Sequence, residues 1–120
     1  MKILLVDDDV FLRDMYAMKF KEHGDEVESA YDAAEALRML TANAFEVMIT
    51  DIVMPGMSGI ELIKQIKSTE NLKSVQCIVL SNQGEDSDIA EARKEGAVGY
   101  IIKAESIPSE VVTKVHSLIT

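Results

Sequence analysis

Thr50-Asp51-Ile52-Val53-Met54-Pro55-Gly56-Met57-Ser58-Gly59 decides how the chain reads. An apolar run, Phe45 to Ile49, stops at the Asp51 carboxylate. Pro55 then fixes its own φ and pushes Met54 towards an extended conformation, and Gly56 is free to take φ > 0. Ser58 and Glu61 have capping-box spacing, with apolar residues behind them. The sequence predicts a strand, an exposed Asp51, a loop and then a helix.

The same unit recurs on both sides. Ile3-Leu4-Leu5-Val6 is a short continuous apolar run, as expected of a strand buried on both faces, and it stops at Asp7-Asp8-Asp9. Leu12, Met15, Tyr16, Lys19, Phe20 and His23 follow helical spacing up to Gly24. Glu26 to Ala30 alternates weakly and reads as an edge strand. Asp32 and Glu35 open a second helix with Ala33, Ala36, Leu37 and Leu40 on its apolar face, which Asn43 ends. Ile60, Leu62, Ile63 and Ile66 mark a third helix that fades by Asn71. Val75 to Leu80 is a strand ending at Ser81. Asp86 to Glu95 is a helix whose one large apolar residue is Ile89, closed by Gly96. Val98 to Ile102 is a strand ending at Lys103, and Pro108 starts a last helix carrying Val111, Val112, Val115, Leu118 and Ile119. Five βα units imply a parallel sheet with helices on both faces and right-handed crossovers.

Bulk composition narrows the function. The 120 residues are read as one domain, 1–120, and 48% hydrophobic content supplies a core without staples. Net charge is −9, from 21 acidic against 12 basic residues, which argues against a nucleic-acid footprint and against adsorption to an anionic membrane. The single cysteine, Cys77, reads as a buried small hydrophobe, and no intrachain disulfide is possible. The apolar run after Lys2 is too short for a signal peptide or a span. A cytoplasmic location is expected.

Parallel strands deliver their C-terminal residues to one sheet edge, where ligands bind in such folds. Asp7, Asp8, Asp51, Ser81 and Lys103 all fall there. Two carboxylates about 4 Å apart repel by roughly 4 kcal/mol at an effective dielectric near 20, so three need counter-charge. Lys103 supplies one positive charge and a hard divalent cation two more; Mg²⁺ favours a few carboxylates, waters and a phosphate oxygen. Ser81 and backbone N–H groups after Asp51 and Ser81 can donate to that phosphate. This is a carboxylate nucleophile set among groups that neutralise a transferring phosphoryl group.

Leu5-Val6-Asp7-Asp8, Asp51 with Met54-Pro55-Gly56-Met57-Ser58-Gly59, Ser81 and Lys103 together resemble the receiver domains of two-component response regulators, over the whole chain. The resemblance implies a flavodoxin-like (βα)5 three-layer sandwich with strand order 2-1-3-4-5. It implies that Asp51 is the phosphoacceptor, that Asp8, Asp51 and the Val53 carbonyl ligate Mg²⁺ (or Mn²⁺), and that Asp7 acts through a metal-bound water. Lys103 would bind a phosphate oxygen. Ser81 would be the switch hydroxyl and Tyr100 the aromatic that follows it, changing the face made by the fourth helix, fifth strand and fifth helix. The implied partners are a sensor histidine kinase or a histidine phosphotransfer protein, and a downstream protein target or a missing output domain; a stand-alone receiver is the expectation. Such a chain is a monomer, dimerising if at all when phosphorylated, and not an enzyme beyond its own phosphotransfer and dephosphorylation.

Three positions depart from the family pattern. Ala104 stands where Pro usually follows the lysine, which predicts a trans Lys103–Ala104 bond and a rerouted loop to Pro108. Asn82 replaces a small residue beside the phosphate. Val53 and Gln83 occupy the positions that tune water attack; Val53 cannot orient a water. Asp9 reads as the cap of the first helix. His23 and His116 lie at helix C-terminal ends, where positive charge is welcome, and neither has ligand-spaced partners, so neither reads as a metal ligand.

Three rivals stand beside this reading. Asp7-Asp8-Asp9 also fits haloacid-dehalogenase-like phosphatases, with Asp7 as nucleophile and Asp9 as acid/base, but no acidic pair follows Lys103 and the Asp51 loop is left without a role. Ala104 and Asn82 leave room for an interaction module that has lost phosphorylation. A flavin carrier would need a hydroxyl-rich first loop, where this chain has three aspartates.

Overall fold

The computed structural model describes residues 1–119. Ile3, Leu4, Leu5 and Val6 are all buried because the first strand lies between two neighbours and under helices on both faces. The elements are β1 (Lys2–Val6), α1 (Val10–Glu22), β2 (Glu26–Ala30), α2 (Ala33–Ala42), β3 (Val47–Thr50), α3 (Gly59–Lys67), β4 (Gln76–Ser81), α4 (Asp86–Glu95), β5 (Gly99–Ile102), a 3-10 turn (Lys103–Glu105) and α5 (Pro108–Ile119). All pairings are parallel, in the order β2-β1-β3-β4-β5. The flavodoxin-like α/β fold is the one expected.

Alternate strand residues serve two cores. Leu4, Val6, Met48, Cys77 and Val79 face α2, α3 and α4, joined by Leu40, Leu62, Ile63 and Ile66. Ile3, Leu5, Val47, Ile49, Ile78 and Leu80 face α1 and α5, joined by Tyr16, Phe20, Val111, Val112 and Val115. Cys77 is fully buried, and burial pushes its thiol up to about 11.

The capping chemistry acts as its residue types dictate. Asp9 accepts from the Leu12 N–H at 3.1 Å, and Asp32 from the Glu35 N–H at 2.8 Å. Ser58 accepts from the Glu61 N–H at 3.2 Å. Gly24, Gly56 and Gly96 take positive φ, at the turns where no side chain is tolerated cheaply.

Element edges differ by one or two residues. The third strand begins at Val47, where its pairing with Ile3 and Gln76 starts, though the Glu46 N–H already donates to the Lys2 carbonyl at 3.0 Å and Phe45 packs into the core. The fourth begins at Gln76 rather than Val75 and ends at Ser81, which pairs with Ile102. Ala92, not Ile89, is the one fully buried residue of α4. The Lys103–Ala104 bond is trans, and the chain turns at once into the 3-10 segment that leads to Pro108.

Candidate functional site

The register of β1 and β3 places the two key carboxylates side by side. Val6 pairs with Thr50, and beyond them the Asp51 N–H donates to the Val6 carbonyl at 3.1 Å while the Asp7 N–H donates to the Ala30 carbonyl at 3.1 Å. Both aspartates are therefore held by backbone that extends the sheet. Lys103 reaches them from the end of β5. Its Nζ donates to Asp7 Oδ2 at 2.8 Å and to Asp51 Oδ2 at 3.0 Å. The Lys103 side chain is only 6% exposed. Burial alone would pull its ammonium down, but the hydrogen bonds and charges of Asp7 and Asp51 outweigh it and hold the pKa above the ordinary lysine range.

The other carboxylate oxygens are spoken for by backbone. Asp7 Oδ1 accepts from the Asp9 N–H at 2.9 Å, and Asp51 Oδ1 from the Ile52 N–H at 2.7 Å. Behind Asp51 the loop closes tightly. The Gly59 N–H donates to the Ile52 carbonyl at 2.9 Å, which brings the start of α3 against the Asp51 peptide. Asp8 and Val53 are exposed at the same edge. Lys103 gathers Asp7 and Asp51; neither Asp8 nor Val53 is tied into that knot.

Ser81 and Tyr100 meet through one residue. Ser81 is buried and its Oγ accepts from the Gln83 N–H at 3.1 Å. The Tyr100 hydroxyl donates to the Gln83 carbonyl. Tyr100 is half-buried against the α2–α4 side of the core, and its phenol is pushed up to about 12 by burial, with Asp88 and Asp51 adding to the effect. Asn82 and Gln83 are both exposed.

Sequence reasoning passed over Arg13. Its Nη1 donates to the Asp7 carbonyl at 3.3 Å, and its Nε is buried without a hydrogen-bond partner. The clue was a basic residue close to a helix N-terminus with no acid in the first turn, against the helix dipole.

The donor set fits Mg²⁺. Asp7 and Asp51 face one ammonium, Asp8 lies exposed at the same edge, every donor is a hard oxygen, and Mg²⁺ takes one or two carboxylates while keeping waters. Asp7, Asp8 and Asp51 do not themselves converge as a ready-made cage. Among the described residues, the one group of three His, Cys, Asp or Glu side chains whose ligand atoms lie within 4.8 Å of one another is His23, Asp25 and His116. It sits at the opposite edge of the sheet, and sequence spacing gave no sign of it.

Comparison with known proteins agrees with this geometry. Residues 3–116 match the family model described as response regulator receiver domain. The chain is 36% identical over 104 residues to chemotaxis protein CheY-3 of Vibrio cholerae serotype O1, covering 86% of this chain and 80% of that protein. It is 34% identical to chemotaxis protein CheY of Pseudomonas aeruginosa, covering 86% and 84%. Among solved structures, CheY4 of Vibrio cholerae superposes with a TM-score of 0.90 at 29% identity, covering 98% of this chain and 97% of that one. TrrA of Thermotoga maritima, solved in complex with Mg²⁺-BeF, superposes with a TM-score of 0.84 at 30% identity, covering 98% and 97%. With five parallel strands in the order these relatives share and a family match across nearly its whole length, the chain belongs to the response regulator receiver domains and has a signalling role like theirs.

Proposed function

We propose that residues 1–120 act in the cytoplasm as a single phosphoacceptor unit, with Asp51 taking a phosphoryl group from the phosphohistidine of a sensor histidine kinase or a histidine phosphotransfer protein. The observation that carries this is Lys103 Nζ bridging Asp7 and Asp51, an ammonium fixed beside the one carboxylate that heads a loop and a helix N-terminus. Asp51 Oδ attacks phosphorus in line. The P–N bond breaks and the donor imidazole, protonated on its other ring nitrogen, leaves neutral with the electron pair. Lys103 is placed to exchange its bond to Asp51 for one to a phosphoryl oxygen. Asp8, Asp51 and the Val53 carbonyl would hold Mg²⁺ or Mn²⁺, with Asp7 acting through a water; the ion supplies positive charge for the phosphoryl oxygens. That a similar protein was solved with Mg²⁺-BeF supports this assignment.

The Ser81–Gln83–Tyr100 link supports a switch. When Ser81 Oγ moves to donate to the phosphoryl group, the Gln83 N–H loses its acceptor. Gln83 also carries the carbonyl that holds Tyr100, so the loop and the aromatic are released together, and the α4–β5–α5 face changes towards its downstream target. The phosphodonor has a docking surface of its own. Asp9 caps α1 directly beside the Asp51 edge, and the helix carries Val10 and Phe11 outward, 56% and 80% exposed. Apolar exposure of that size beside a reactive edge suits a protein donor.

The test is phosphoryl uptake from a small phosphodonor in the presence of Mg²⁺. Wild type is expected to take up label and Asp51→Asn to take up none. Equal behaviour of the two would favour an interaction module without phosphorylation.

A further inference from the structure

Three side chains far apart in sequence converge at the sheet edge remote from Asp51. His23 is the C-cap of α1, Asp25 leads into β2, and His116 lies in the last turn of α5. His116 Nε2 is 2.7 Å from Asp25 Oδ2, and His23 Nδ1 is 3.7 Å from the same oxygen. The two imidazole centroids are 4.2 Å apart with planes inclined at 39°. A single carboxylate oxygen thus has two imidazole nitrogens facing it. An ordinary ion pair needs one. The second imidazole adds no charge balance, and two imidazolium rings at this distance would repel each other.

We propose that His23, Asp25 and His116 form a second metal site that binds a divalent transition ion, Zn²⁺ first, and is separate from the oxygen-lined pocket at Asp51. Two imidazoles and one carboxylate, with a fourth position open to water, are a donor set for zinc and a poor one for Mg²⁺. Bonds of about 2.0–2.1 Å put tetrahedral donors roughly 3.3 Å apart. The present group brackets that spacing, with donor atoms from 2.7 Å to within 4.8 Å of one another. The larger adjustment falls on His23, whose side chain is 52% exposed, while the 2.7 Å contact of His116 with Asp25 opens slightly. Asp25 is already oriented as metal carboxylates are. Its side chain is 3% exposed, and Oδ1 accepts from the Met1 ammonium at 3.0 Å, leaving Oδ2 turned to the imidazoles. Bound metal would clamp the C-terminal ends of α1 and α5 to the start of β2, and α5 is part of the face assigned to output.

Calorimetric titration of the folded, unphosphorylated protein with ZnCl₂, in excess Mg²⁺ to occupy the oxygen site, tests this. One zinc per chain is expected. His23→Gln and His116→Gln should each weaken binding by about tenfold or more, since loss of a direct ligand costs at least what loss of its supporting partners does. Co²⁺ should give visible ligand-field bands in wild type that both variants lose. Asp25→Asn is left aside because a buried carboxylate also holds the fold, whereas circular dichroism can verify that the two histidine variants are folded. No saturable uptake by wild type, or equal zinc affinity in wild type and the double histidine variant, would overturn the proposal.

Discussion

A methyl group at residue 59 would strike the backbone of Asp51. A Cβ built on Gly59 lies 1.9 Å from the Asp51 carbonyl oxygen, so α3 can start there only from glycine. Gly59→Ala should cost about 1–3 kcal/mol in urea unfolding, by overpacking, and should slow phosphoryl uptake because the loop that moves carries Asp51. An unchanged uptake rate would show that loop position does not govern the chemistry. Ser81→Ala separates two roles: it should still accept phosphate, while phosphorylation no longer shifts the α4–β5–α5 amide resonances. A normal shift would remove Ser81 from the switch. Cys77 makes a prediction about pH. Its native thiol sits near 11 against an ordinary value of 9.0, so the neutral thiol favours the folded state. That contribution is full below pH 9.0 and is lost as pH rises through the folded value. The stability gap between wild type and Cys77→Ala should therefore narrow between those limits, by on the order of 2 kcal/mol. At this scale Asp51, the proposed acceptor, was legible as a strand-end carboxylate, because an apolar run that stops dead at an aspartate needs no partner to be noticed. Arg13 was less so, since its contact is with the backbone of Asp7, and its only trace was a misplaced charge.

Helices and strands were legible to the degree that their periodicity was strong. β1 is buried from Ile3 to Val6 and α3 has a continuous apolar stripe, so both were read correctly in kind and nearly in length. The edge strand β2 was recognisable from its weak alternation because one side of it faces solvent. Boundaries slipped where pairing, rather than residue type, decides the first residue, as at Val75, which is buried but precedes the first pair of Val47 with Gln76. Of the α-helices, α4 has least to hold it, with Ala92 alone buried. Amide hydrogen exchange should find α4 less protected than α3, and phosphorylation should change its exchange most. Equal protection of the two helices would contradict the assignment of α4 to a moving face. The 3-10 turn at Lys103–Glu105 was anticipated only as a rerouted loop, because its form depends on Ala104 and on where α5 begins.

Across the whole molecule, the parallel sheet separates two kinds of chemistry by edge. Strand C-termini gather the oxygen donors and Lys103; strand N-termini bring in Asp25, with His23 and His116 delivered by the ends of α1 and α5. The first grouping follows from topology and can be read from a sequence once the strands are known. The second needs contacts between residues 91 apart, which no local spacing reports. No described helix is long and apolar enough to cross a membrane. A chain with net charge −9 that concentrates carboxylates at one edge should be stabilised by the cation that relieves them. At constant ionic strength, Mg²⁺ at about a hundred times its Kd should stabilise the fold by ~2.7 kcal/mol, and Asp8→Asn should abolish most of that gain. A melting temperature indifferent to Mg²⁺ would remove the ion from the site.

The central claim concerns which aspartate becomes phosphorylated, and it can be read directly. Protein treated with a small phosphodonor and Mg²⁺ is reduced with borohydride, which converts an aspartyl phosphate to homoserine, and the position is located by peptide mass spectrometry. Homoserine at position 51 is the result expected from the Lys103-bridged geometry. Homoserine at position 7 would contradict it, making Asp7 the nucleophile and the Asp51 loop a bystander.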